Sequence, residues 1–350
     1  MTGMMPSVMP AAVYVGDGAI AVRELPVPEP GPGEVLVEIS HCGICGTDLH
    51  LVLEQYARPD SVLGHEWAGT VAAVGDGVDG WELGARVVAD TTPGCGTCRA
   101  CRRGRAAVCL EREPPDYLSF RGAFCRYVVV AAARLLRVPE SLSTRAAALT
   151  EPTAIAIHTV ALSGAEPGDR VLVTGGGPVG LLTTAVLRAQ GIDDITVSEP
   201  APARRERALA VGAPAVVEPD DLPRAPMAGT VPSPFTIAFE CSGNARAAES
   251  ALEQLDYAGT LVFVGTGHEQ PRVNHNRVIV LELTLIGAYN YDAAGFRPAL
   301  DLLASGALPL DDLIERDDVR LDDVLDVMQR LSAGDLAGKV MVVPRSEIRR

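Results

Sequence analysis

Cys95, Cys98, Cys101 and Cys109 are spaced C-x2-C-x2-C-x7-C. Four thiolates this close together wrap one tetrahedral Zn2+ and close its coordination sphere, leaving no position for a substrate. Such a site is structural. Cys45, the run Gly64-His65-Glu66 and the distant Glu151 supply a second set of donors: thiolate, imidazole and carboxylate. Three ligands of these kinds can hold zinc with a fourth position open to a reacting molecule. Spacing alone leaves this second set equally compatible with a structural histidine and two surface acids.

A third pattern, Gly175-Gly176-Gly177-Pro178-Val179-Gly180, reads G-x-G-x-x-G between a β-rich run and a helical one. In that context Gly175 permits a tight turn, Gly177 lets the backbone approach a pyrophosphate, and Gly180 lets helix and strand pack closely. A helix opening at Pro178 and Val179 offers unpaired N–H groups and a favourable dipole to an anion. Glu199 follows Gly175 by 24 positions, at the end of the next β-rich run. A carboxylate there accepts the adenosine ribose hydroxyls of NAD and repels the 2′-phosphate of NADP. Arg204 and Arg205 either offset that repulsion or line the solvated face of a helix. NAD is the expected cofactor, NADP the less favoured one.

These groups need elements to hold them. Up to about residue 150 the chain reads as short strands and turns, the signature of a barrel-like β domain. Runs at 12–15 and 20–22 flank Gly16-Asp17-Gly18 as a hairpin, and 35–39, 70–74 and 86–89 continue the pattern. Beyond Glu151 strands at 171–173, 195–197, 236–239, 261–264 and 283–286 alternate with helices at 178–189 and 203–211, which predicts a parallel sheet with helices on both faces. A helical stretch from about Ala293 and a last strand at 339–343 complete the chain, and residues 1–10 read as a loose tail. The fold class is α/β with a β-rich second domain.

Composition excludes other functions. The 350 residues are 47% hydrophobic but only 4% aromatic, so the core is built mainly of Ala, Val and Leu. A formal charge of −15 repels phosphate backbones and anionic lipid, so neither nucleic acid nor membrane is an expected partner. Arg99, Arg102, Arg103 and Arg105 beside the four cysteines could make a basic zinc ribbon for nucleic acid, but the acidic whole favours a solvated lobe. The apolar window 171–187 is shorter than the roughly 20 residues of a membrane span and is broken by glycines. With no secretory signal and with cysteines in metal-site spacing, the expected location is a reducing cytoplasm.

Taken together, these residues resemble the zinc-dependent alcohol dehydrogenases of the medium-chain dehydrogenase/reductase superfamily. The resemblance covers about residues 11–343 and rests on Cys42-Gly43-Ile44-Cys45-Gly46-Thr47-Asp48-Leu49-His50, on Gly64-His65-Glu66 with Gly69 and Gly75, on the four-cysteine lobe and on the glycine turn. It implies a GroES-like catalytic domain in two segments, 1–152 (with the lobe at 93–112) and 293–350, around a Rossmann domain at 153–292. It also implies two zinc ions per chain. The catalytic ion falls to Cys45, His65 and either Glu66 or Glu151, with Asp48 orienting His65, whereas Cys42 matches a non-ligand position. Cys125 and Cys241 have no implied role beyond packing.

Leu149-Thr150-Glu151-Pro152 looks like the polyol, butanediol and threonine dehydrogenase branches, which oxidise a secondary alcohol to a ketone with NAD. There Thr47 takes the alcohol proton and passes it through the cofactor ribose to His50, and Lys339 approaches the pyrophosphate. The resemblance further implies a homodimer or homotetramer joined through the strand at 283–287. A zinc-free quinone reductase of the same fold, or a redox-silent zinc-lobe protein, would not need these ligands together with Thr47 and His50.

Overall fold

Gly16, Asp17 and Gly18 all take positive φ, and the chain reverses there. Strands β1 (Val8–Gly16) and β2 (Ala19–Pro26) pair antiparallel on either side, the hairpin expected from the sequence. The computed structural model describes residues 5–112, 122–226, 229–292 and 295–345. One expectation is corrected at once: residues 8–10 are not a tail but the start of β1, where Met9 is buried, and residues 1–4 lie outside the described residues.

The first sheet is built from β3 (Glu34–Gly43), β4 (Glu66–Val74), β5 (Arg86–Ala89), β6 (Tyr127–Ala131) and β7 (Leu135–Arg137). Helix α1 (Gly46–Leu53) follows β3 directly; the short α2 (Thr144–Ala147) and the longer α3 (Thr150–Ser163) leave the sheet behind. Then comes β8 (Arg170–Thr174), α4 (Pro178–Ala189), β9 (Asp194–Ser198), α5 (Pro202–Ala210), β10 (Ala215–Val217), β11 (Phe235–Glu240), β12 (Leu255–Phe263) and β13 (Thr284–Gly287).

Strands β8 to β13 form one six-stranded parallel sheet in the order β10-β9-β8-β11-β12-β13. This is the doubly wound arrangement, whose ligand crevice opens where the order reverses, between β8 and β11. Val171, Leu172 and Val173 of the central β8 are all fully buried, as a strand covered on both faces must be. A helix Phe296–Ala304 stands where the sequence turns helical, three residues later than expected; 293 and 294 lie outside the described residues.

Two last strands, β14 (Val319–Arg320) and β15 (Met341–Val343), return to the first sheet. Met341 pairs with Gly43 and Val342 with Cys42, so the C-terminal segment arrives beside the residues that lead into α1. No helix among the described residues is long and apolar enough to cross a membrane.

Candidate active site and metal centres

The four-cysteine lobe is made locally. Its sulfurs all lie within 4.8 Å of one another, with Cys95 to Cys101 at 4.0 Å and Cys98 to Cys109 at 3.9 Å. Four sulfurs about 2.3 Å from one tetrahedral zinc would sit about 3.8 Å apart, so the residues fit the ion. Backbone N–H groups point at the sulfurs as they do at thiolates: Cys98 N–H donates to Cys95 Sγ at 3.2 Å, and those of Cys101 and Leu110 donate to Cys98 Sγ at 3.4 and 3.5 Å. Those last two bonds pull the Cys98 thiol down to about 6. Asp292 fastens the lobe to the body, accepting the Ala107 N–H at 2.7 Å and lying 3.5 Å from Arg105 and 3.6 Å from His158.

The second centre is assembled from distant segments. Cys45 is the N-cap of α1, His65 and Glu66 lead into β4, and their ligand atoms lie within 4.8 Å of one another. This donor set fits an open zinc site. Asp48, fully buried in the first turn of α1, ties the pieces together. One oxygen accepts the Cys45 N–H at 2.9 Å; the other accepts the Gly64 N–H at 3.3 Å and lies 3.6 Å from His65 Nδ1. Burial disfavours a charged His65 ring, but Asp48, Cys45 and Glu151 outweigh it and hold the ring well above the ordinary histidine range. Gly64 has φ +91° with Phe124 and the Cys42 sulfur packed where a Cβ would stand, so this turn admits only glycine. Cys42 itself is buried, its thiol pushed up by burial, in keeping with a packing role.

Glu151 opens α3 and is buried against the same pocket. Burial, opposed by the attraction of His65, pushes its carboxyl up to about 7. Lys339 departs from expectation. Instead of reaching toward the glycine turn, its ammonium is buried 2.6 Å from Glu66 and donates to the Ile44 carbonyl at 3.0 Å. An ammonium taken out of water needs such a partner, and β15 delivers it next to Glu66. Thr47 is half-buried in α1, and His50 sits at the far end of the same helix with Nδ1 2.8 Å from Glu54.

At the crevice the glycine turn has the geometry its sequence demands. Gly175 has φ +99° and lies against Ser242 at the end of β11; a Cβ on Gly180 would stand 1.9 Å from the Gly175 carbonyl oxygen. Gly177 caps α4, with Pro178 and Val179 as its first residues and open space where its side chain would be. Glu199 follows β9 and is buried, accepting N–H groups from Gly176 at 2.7 Å and Ala201 at 2.8 Å.

Arg204 packs beside Gly176 of the turn, with its charged end engaged further away. Its guanidinium donates to the Leu336 and Leu331 carbonyls at 3.1 and 2.8 Å, which fastens α5 to the C-terminal segment. Arg205 is likewise engaged, by the Glu199 and Pro200 carbonyls and by Glu218. Cys125 is buried with its thiol pushed up to about 12, whereas Cys241 is half-buried. Two polar residues unread in the sequence, Glu54 and His268, stand against His50. Glu54 could have been found from its i,i+4 spacing had α1 been recognised; nothing in the sequence joins His268 to either.

Residues 31–140 match the alcohol dehydrogenase GroES-like domain, and residues 178–305 match the zinc-binding dehydrogenase family. The chain is 36% identical to the L-threonine 3-dehydrogenase of Pyrococcus horikoshii over 93% of its own length and 95% of that protein's. It is 33% identical to the sorbitol dehydrogenase of Bacillus subtilis, covering 98% and 99% of the two chains. Among solved structures, a zinc-binding dehydrogenase from Sinorhizobium meliloti bound to NADP superimposes with a TM-score of 0.86 at 32% identity, covering 97% of this chain and 100% of the other. A GroES-like β domain, a Rossmann sheet and a Cys45–His65–Glu66 pocket are thus joined in one chain, and that chain belongs to the zinc-dependent alcohol dehydrogenase family.

Proposed function

We propose that this enzyme oxidises the secondary alcohol of a polyol or amino alcohol to a ketone with NAD, using one catalytic and one structural zinc ion. The observation that carries the reading is the pocket in which Cys45, His65 and Glu66 converge beside α1, the helix that carries Thr47 and His50. Cys45 and His65 would hold the catalytic ion with Glu66 or Glu151, and Cys95, Cys98, Cys101 and Cys109 the structural one. When bound, zinc acts as a Lewis acid that makes the alcohol easier to deprotonate, and the nicotinamide accepts hydride.

The chain's own residues do the rest. Asp48 keeps Cys45 and His65 in register. Thr47 accepts the alcohol proton as it gives up its own hydroxyl proton toward His50, which, partly exposed in the last turn of α1, passes a proton on to solvent. Lys339 neutralises Glu66, so that one fewer net negative charge faces the pocket. The backbone N–H groups of Gly177 and Val179, on either side of Pro178 at the start of α4, receive the pyrophosphate. Glu199, already aligned by Gly176 and Ala201, presents its carboxylate to the ribose, which favours NAD over NADP.

The domain reading of 1–152 and 293–350 around 153–292 accords with β15 rejoining β3. Association as a homodimer or homotetramer is supported by β13, an outer strand of the parallel sheet paired only on its β12 side among the described residues. A reducing, cytoplasmic setting agrees with thiols clustered for metal. The test is a panel of diols, sugar alcohols, amino-cyclitols and threonine, each with NAD+ and NADP+. Reduction of NAD+ by one of these classes is the expected result. No turnover by zinc-loaded enzyme with any of them would overturn the proposed substrate class.

A further inference from the structure

His50, Glu54 and His268 have no role together in the reading above, yet their ligand atoms lie within 4.8 Å of one another. Glu54 bridges two imidazoles: one carboxylate oxygen is 2.8 Å from His50 Nδ1, and the other contacts His268 Nε2. The two histidines come from distant segments, His50 from the last turn of α1 and His268 from the loop after β12. Tyr56 lies across the His268 ring, its hydroxyl 3.3 Å from Nδ1, so the second nitrogen is occupied and Nε2 is the one turned to Glu54. A ligating histidine is commonly oriented in this way, through its other nitrogen.

We propose that His50, Glu54 and His268 form a third metal site, separate from the two zinc centres, for a divalent transition cation such as Zn2+ or Ni2+. Two imidazoles and a carboxylate suit such ions, and three protein donors leave positions for water. Side-chain exposures of 35, 31 and 51% for His50, Glu54 and His268 leave the site open to an ion from solvent.

Occupancy has two consequences. It pins the loop after β12 to α1, joining the nucleotide sheet to the catalytic domain. It also engages the His50 lone pair at Nδ1, leaving Nε2 protonated and the ring unable to take a proton. This second consequence rests on the relay role given to His50 above. An excess of transition metal therefore inhibits the enzyme without displacing catalytic zinc.

The test dialyses zinc-loaded enzyme against Ni2+ and counts both metals, in wild type and in His268→Asn, a position outside the reaction's machinery. Expected are one nickel per wild-type chain with zinc retained, and nickel binding weaker by at least about tenfold in His268→Asn, whose basal turnover is unchanged. Glu54→Gln should weaken nickel in the same way. Equal nickel uptake by wild type and His268→Asn, or uptake only at the expense of zinc, overturns the site. Turnover measured on the same samples separates the two readings: inhibition of wild type but not of His268→Asn supports both. Nickel bound through His268 without inhibition sustains the site and removes His50 from the relay.

Discussion

The two zinc centres proposed for this enzyme are made in opposite ways. The four-cysteine lobe takes all its ligands from within 15 residues, lies at the surface, and stabilises its thiolates with its own backbone N–H groups. The catalytic pocket draws on α1, the start of β4, the start of α3 and the segment before β15, and buries five ionisable side chains, Asp48, His65, Glu66, Glu151 and Lys339. A closed site needs only a compact loop. An open site must keep its donors in place with one position unfilled, so the surrounding fold supplies the rigidity that a fourth protein ligand would otherwise give. The buried Asp48 and the Glu66–Lys339 pair are that support.

Substitutions should separate the centres. The largest effect is expected from Cys45→Ala: losing the Lewis acid removes several kcal/mol of transition-state stabilisation, about a thousandfold or more in kcat, while Tm barely moves. Cys98→Ser should do the reverse, lowering Tm by on the order of 10 °C because the structural ion's binding energy is folding energy. A Cys45→Ala enzyme that unfolds as readily as Cys98→Ser in a thermal scan would break the comparison.

Asp48→Asn leaves the size of the side chain unchanged but weakens its hold on Cys45, Gly64 and His65. Zinc affinity at the catalytic centre should fall about 10- to 100-fold, read by competition with a chelator, with the lobe untouched. Glu199→Ala should lower the ratio of kcat/KM for NAD over NADP by roughly tenfold. The gain for NADP is limited because Arg204 and Arg205 are already engaged by carbonyls and by Glu218. An unchanged ratio would place Glu199 away from the ribose.

The smallest effect concerns protons. Burial raises the Glu151 carboxyl to about 7, so in zinc-stripped protein the folded chain holds that proton more tightly than the unfolded chain does. Its contribution favours folding at low pH and is lost as pH climbs from the ordinary carboxylate range through about 7. The urea midpoint of stripped protein should carry a falling component over that interval, and Glu151→Gln should flatten it. An identical pH profile in the variant would show that Glu151 is not buried in its charged or neutral form as described.

What could be read before the fold was known follows the same division. The lobe and the glycine turn are written in short spacings, and β5 and α4 fall where the residue pattern puts them. Helix α3 leaves no amphipathic pattern because it is buried nearly all round: Thr150, Thr153, Thr159 and Val160 are β-branched and buried, and no charged face marks the helix, so tertiary burial overrides local preference. Glu151 therefore marked a boundary in the sequence but opens a helix in the structure. The destinations of Arg204 and Lys339 depend on carbonyls and a carboxylate more than 100 residues away, and His268 meets Glu54 across 214 positions. Contacts of that range leave no local pattern.

Elemental analysis of enzyme purified without chelator, beside Cys45→Ala and Cys98→Ser, tests the division most directly. Two zinc ions per wild-type chain are predicted, with each variant losing one and keeping the other. One ion or none in wild type, or both lost together in either variant, would contradict two independently built centres.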